Sequence, residues 1–207
     1  MSVLNIPFYK NTKDNLHCVQ ACLKSVLKYY FPHKNYSFQY LDKVTYHRKN
    51  KWTWDFGMML FLARLNFKVI YIADFDFYKF ATLGEKYLTK IWSKDVYETQ
   101  KKFSDFKQEQ KLSRLVIKNR KIKLIKKNPT INDINSLYKK GYLLLVSINP
   151  YSLDRLKGYA SHLVVITNLT SKMITFHDPG LPPRPNRRVL HKNFEKAMDG
   201  TLTAIKK

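Results

Sequence analysis

Cys18, His162 and Asp178 are the residue types from which a nucleophilic thiol site is assembled. Such chemistry needs a thiolate, a base beside it, and a group that orients the base. Cys18 falls in the first turn of a predicted helix, where unpaired backbone N–H groups and the positive end of the helix dipole favour an anion. His162 opens a predicted strand after Gly158-Tyr159-Ala160-Ser161, and Asp178 ends the next one. A hairpin between the two strands sets the carboxylate beside the imidazole.

The elements that must hold these groups are legible in the apolar spacing. Val19, Cys22, Leu23, Val26, Leu27 and Tyr30 recur at three- and four-residue steps, which predicts a helix from Cys18 to Tyr30 with Asp14 or Asn15 as N-cap and Pro32 as its stop. Helices are expected over Phe38–Thr45, after Trp54, and over Ile131–Lys139 behind Thr130. Strands are expected over Phe67–Ile72, Tyr142–Ile148, His162–Leu169, Met173–His177 and Leu202–Ile205. Helices first and antiparallel strands later is an α+β order, read here as one domain over 1–207. Residues 75–127 are expected to form a helical insertion, and from Lys79 to Lys127 it carries 15 Lys/Arg against 5 Asp/Glu. Asp178 to Pro185 reads as a Pro-rich loop, with Arg184, Arg187 and Arg188 following as loop charge.

Composition narrows the classes. A hydrophobic fraction of 44% with 14% aromatic residues belongs to a chain with a core. No apolar run approaches the roughly 20 residues of a membrane span. Met1 to Pro7 has no secretory pattern, so a cytoplasmic protein is expected. Cys18 and Cys22 are the only cysteines, too close on one helix for an unstrained disulfide. The formal charge of +23 suits an anionic partner or an acidic substrate peptide. It also matches a plain excess of lysine, 30 Lys to 8 Arg. Nucleic acid is not favoured, because the basic residues lack an interleaved aromatic recognition motif.

Asn15-Leu16-His17-Cys18-Val19-Gln20-Ala21-Cys22-Leu23, Ser161-His162-Leu163-Val164-Val165-Ile166 and Ile174-Thr175-Phe176-His177-Asp178-Pro179 together resemble the peptidases that remove double-glycine leaders from bacteriocins. The chain as a whole resembles their stand-alone bacterial and archaeal relatives, which share Ile6-Pro7-Phe8-Tyr9, Trp52-Thr53-Trp54 and Asp178-Pro179-Gly180-Leu181-Pro182. The resemblance implies a papain-like fold, with Cys18 as nucleophile, His162 as base and then acid, and Asp178 fixing the imidazole. It implies a peptide or amide substrate, no cofactor, and an oxyanion held by the Cys18 N–H and an upstream amide.

The chain departs from the leader peptidases at His17, at Val19-Gln20 and at Thr12, where they carry Asp, a small pair and Gln respectively. Asn11 and Asn15 are the candidates for the missing amide. His17, Trp52, Trp54 and Arg184 are candidates for the substrate groove, each with an ordinary structural reading beside it. Cys22 is expected in the core. The alternative function is a catalytically silent module that binds an anionic partner through the basic segment. A third arrangement, Cys18, Cys22, His162 and Asp178 around zinc, lacks a second ligand pair close in sequence, so no metal is expected.

Overall fold

The computed structural model describes residues 4–207, so the reading of Met1 to Val3 lies outside the described residues. The chain opens with three helices, α1 (Cys18–Tyr30), α2 (Phe38–Thr45) and α3 (Asp55–Arg64), followed by strand β1 (Lys68–Ala73). Next come α4 (Phe77–Leu83), α5 (Glu85–Ile91), α6 (Lys94–Phe103), α7 (Phe106–Ile117) and β2 (Ile122–Lys126). The remainder is α8 (Ile131–Lys139), β3 (Leu143–Ile148), α9 (Pro150–Asp154), β4 (His162–Leu169), β5 (Met173–Asp178), β6 (Arg184–Leu190), α10 (His191–Ala197) and β7 (Met198–Lys206).

The strands form one sheet in the order β2-β1-β7-β3-β4-β5-β6. Its pairings are antiparallel apart from β1 with β2, which run parallel. β3 lies mid-sheet and is buried along its whole length, as its unbroken apolar sequence requires. Alternate residues serve opposite faces. Leu143, Leu145, Leu163 and Val165 join the cluster that packs α1, α3 and the insertion, whereas Leu144, Val146, Val164 and Ile166 join the one that packs α8 and α10.

Two local features fix neighbouring elements. Gly57 in α3 passes the end of α2 so closely that a Cβ there would lie 2.3 Å from the Thr45 carbonyl oxygen. The α2–α3 crossing therefore tolerates no side chain at that position. On α8, Thr130 and Asp133 form a reciprocal capping box, as the Thr130 start signal implies.

Three expectations need correction. The basic segment is not helical throughout, because β2 extends the sheet beside β1. Arg184 to Arg188 is not loop but part of edge strand β6, and the short α9 precedes the predicted β4. Asp14 and Asn15 do not cap α1. His17 is the N-cap residue, and the first-turn geometry is held instead by Asn11, whose Oδ1 accepts the His17 N–H at 2.8 Å. Among the described residues no helix is long and apolar enough to cross a membrane.

Candidate active site

The thiol of Cys18 stands at the first residue of α1, half-buried, at the wall of a cleft of about 750 Å³ that His162 and Asp178 also line. α1 packs on β4, and both thiols of the helix meet the backbone of Leu163. Cys22 donates its S–H to the Leu163 carbonyl at 3.2 Å, and the Leu163 N–H hydrogen-bonds Cys18 one helical turn earlier. β4 pairs with β5 only from Val165 onward, which leaves this part of β4 available to the helix.

His162 bridges the sulfur and the carboxylate. Its Nε2 donates to Asp178 Oδ1 at 2.9 Å, so Nδ1 is the ring nitrogen left for Cys18, with which the imidazole shares a hydrogen bond. Asp178 is buried and fully engaged: Oδ1 also accepts the Gly180 N–H at 3.1 Å, and Oδ2 accepts Nη1 of Arg187 at 3.0 Å. Gly180 itself leaves no room for a side chain. A Cβ there would come within 3.0 Å of Asp178 Oδ1 and 3.2 Å of His162 Nε2.

The electrostatics follow from these contacts. Burial works against the charged form of all three groups, and the contacts overcome it. The hydrogen bond and charge of His162 hold the Cys18 thiol below its ordinary value. Asp178 and Cys18 lift the imidazole to about 9. The His162 contact, the Gly180 N–H and Arg187 keep Asp178 low. Cys22 goes the other way, pushed well up by burial and then by the charges of Cys18 and Asp178. The two cysteines thus differ sharply in thiolate character, and the accessible one is the more acidic. The pair at the cleft wall is thus biased toward a thiolate and an imidazolium, a state suited to attack on an electrophilic carbon followed by proton delivery.

The other candidates divide. Asn15 lines the cleft in a left-handed turn at φ 58°, and the Asn11 amide donates to its Oδ1 at 2.9 Å, which leaves the Asn15 NH₂ without a hydrogen-bond partner among the described residues. Asn11 is buried and does not line the cleft, because its own carbonyl oxygen serves the N–H groups of Thr12 and His17. His17 is not at the groove either. Its ring is nearly buried and turned toward Asp42 and His47. Trp52 and Trp54 do line the cleft and also anchor the insertion. Trp52 stacks on Phe103 at 4.9 Å, and Trp54 Nε1 donates to Ser104 at 3.0 Å amid the rings of Phe75, Phe80 and Trp92.

Arg184 reaches the cleft but is tied to Asp154, with Nη1 to its two carboxylate oxygens at 2.7 and 3.0 Å. Arg187, expected with Arg184 and Arg188 as loop charge that could reach the cleft, has a more definite place. It bridges Asp178 and Asp154 from the middle of β6, and only the β5–β6 register sets it there.

One further property was hidden by the overall charge. Asp14, Asp55, Asp74, Asp154, Asp178 and Asp199 all line the cleft, and Arg184 is the one Lys or Arg that does. The wall around the thiol thus holds more carboxyl groups than cations on a protein of net charge +23, although Asp154 and Asp178 are already paired with Arg184, Arg187 and His162.

No protein-family model matches the chain, and no curated protein matches it either. Among solved structures it is similar to the peptidase domain of Streptococcus ComA, a bi-functional ABC transporter involved in a quorum-sensing pathway. The TM-score is 0.54 at 14% sequence identity, over 97% of this chain and 98% of that one. The chain has the fold of that peptidase domain. The α+β class expected from the sequence, papain-like with a Cys-bearing helix against a His- and Asp-bearing sheet, is the one observed.

Proposed function

We propose that this protein is a cysteine peptidase, or a closely related thiol acyl-transfer hydrolase, acting on a peptide or amide bond. One observation carries the reading: an unbroken hydrogen-bonded line runs from Cys18 through the His162 ring to Asp178 at the wall of an open cleft. A peptide substrate is supported by the likeness to a domain that is itself a peptidase.

In this reading the Cys18 thiolate attacks the substrate carbonyl carbon and the C=O pair moves onto oxygen. The Cys18 backbone N–H, which has no partner among the described residues, and the Asn15 NH₂ donate to that oxyanion. Collapse breaks the C–N bond. The proton held on His162 passes to the leaving amine, and a thioester to Cys18 remains. Water, deprotonated by His162, then attacks the thioester and regenerates the thiolate. Asp178 holds Nε2–H throughout, so that Nδ1 does the proton transfer. The aspartates of the cleft favour a neutral or basic segment, against the acidic substrate that net charge alone suggested.

The test is turnover of a pool of internally quenched peptides of mixed charge, followed by mass spectrometry of the products. Cleavage by the wild type that disappears in both Cys18→Ala and His162→Ala, each still folded, is expected. Cleavage that survives in Cys18→Ala, or none with any peptide, contradicts the proposal.

A further inference from the structure

His17 precedes the thiol yet takes no part in the cleft, and its surroundings are unusual. His17 from the α1 cap, Asp42 from α2 and His47 just beyond α2 bring one donor atom each within 4.8 Å of one another. The backbone fixes the last two in register. Tyr46 turns the chain at φ 60°, and the His47 N–H then bonds back to the Asp42 carbonyl at 2.9 Å. The imidazoles of His17 and His47 lie 4.3 Å apart between centroids.

Each ring is held by its Nδ1. Thr12 gives its hydroxyl proton to Asp14 at 2.6 Å, so its oxygen accepts from His17 Nδ1–H, also at 2.6 Å, and Asp14 assists at 3.2 Å. His47 Nδ1 pairs with the Thr53 hydroxyl at 2.9 Å, which Gln20 supports from α1 at 3.0 Å. That is the outer-shell pattern that orients metal-binding imidazoles.

On His17 this leaves Nε2 as an acceptor; on His47 the Thr53 hydroxyl, which already accepts from Gln20, allows either tautomer, and the one with Nδ1–H leaves Nε2 as an acceptor too. With Nδ1 as its donor, His17 turns the lone pair of Nε2 toward Asp42 Oδ1 at 3.4 Å. That oxygen is sealed from solvent and has no hydrogen-bond partner among the described residues, since the contact has the distance of an ion pair but not the geometry of a hydrogen bond. Nε2 of His47 likewise has no hydrogen-bond partner among the described residues. A sealed carboxylate oxygen between two imidazole nitrogens is costly unless a cation sits among them.

We propose that His17, Asp42 and His47 form a binding site for a divalent cation of the zinc class. Two imidazole nitrogens with one carboxylate oxygen suit zinc and its neighbours, whereas calcium and magnesium prefer all-oxygen sets. Ligands at about 2.0–2.2 Å from a tetrahedral ion stand about 3.4 Å apart. The His17–Asp42 separation already has that value, and a nitrogen of His47 lies within 4.8 Å of both atoms. The fourth position is open to water. The ion ties the end of α2 to the first turn of α1, next to the thiol but independent of it.

The untagged protein, stripped with EDTA, is titrated with Zn²⁺ by calorimetry and with Co²⁺ by visible absorption, alongside four variants. One equivalent is expected, with a cobalt d–d band that lacks thiolate charge transfer and persists in Cys18→Ala. Asp42→Asn and His47→Ala should each weaken binding by more than about 100-fold, and Thr53→Val, an outer-shell change, by about 10- to 100-fold. Circular dichroism of each variant in EDTA controls for folding, and Thr53→Val carries the test if a ligand variant unfolds. Absence of saturable binding overturns the site, as does binding that survives in Asp42→Asn and His47→Ala or vanishes in Cys18→Ala. The last variant abolishes the proposed hydrolysis and should spare the metal, so the two proposals fail separately.

Discussion

Nη1 of Arg187 donates to Oδ2 of Asp178 at 3.0 Å, on the carboxylate edge that His162 does not use. The same guanidinium spends its other nitrogen on Asp154, which also binds Arg184. β6 therefore holds this carboxylate from behind, and the arrangement is nearly shut from water: the side chains are 12% and 5% exposed.

Arg187 is a positioning residue on this account. Replacing it with Met leaves Asp178 buried with one partner fewer, and stability should fall by about 3 kcal/mol in a urea titration. Asp178 loses one of the contacts that keep it low, so the acid limb of the pH–rate profile should move upward. Unchanged stability together with an unchanged acid limb contradicts this role.

How far the sequence discloses such a site depends on where each signal resides. α1, α2 and α8 were legible because their apolar residues keep helical spacing and their ends carry stop or cap signals, Pro32 and Thr130 among them. β4 and β5 were legible because a short polar turn separates two apolar runs. β2 was not: its one fully buried residue, Ile122, sits among lysines that belong to solvent, and its partner β1 is far away in sequence. β6 was masked by Pro185 and three arginines, the composition of an edge strand as much as of a loop. Among the site residues, Cys18, His162 and Asp178 announce themselves by type, whereas the role of Arg187 exists only through strand register. The His17 ring is held on Thr12 and Asp14 while Asn11 takes its backbone N–H from outside the helix, which no local pattern indicates.

Asn15 should matter for turnover rather than for thiol reactivity. Asn15→Ala should lower kcat by about 100-fold, the usual loss for one oxyanion donor, with little change in KM. Alkylation of Cys18 should proceed at the wild-type rate. A variant that keeps full kcat assigns the oxyanion to other donors.

Glu109 gives the fold a pH dependence of its own. Burial lifts its carboxyl from the ordinary 4.5 to about 8, opposed only by the Trp54 N–H, with the charges of Asp105 and Asp55 adding to the rise. One of its oxygens is buried with no partner among the described residues. Between those two values the folded protein keeps a proton that the unfolded chain releases, so stability falls as pH rises through the window. The loss of stability between pH 5 and pH 8.5 should be greater in the wild type than in Glu109→Gln by about 3 kcal/mol, since the raised His162 contributes equally to both. Equal slopes for both proteins remove Glu109 as the cause.

Gly180 is held small by the pair it touches. Gly180→Ala places a methyl against Asp178 and His162, and hydrolysis should drop by about 10-fold or more as the imidazole is displaced. Melting temperature is the control, because a general loss of folding would lower it in step.

The central claim is that Cys18, paired with His162, is the accessible and more acidic thiol while Cys22 is an inert core thiol. Brief treatment of the native protein with iodoacetamide near pH 6, with the adduct mapped by mass spectrometry, tests it most directly. The expected result is a single adduct on Cys18, formed much more slowly in His162→Ala. Labelling confined to Cys22, or a Cys18 rate indifferent to the loss of His162, would contradict it.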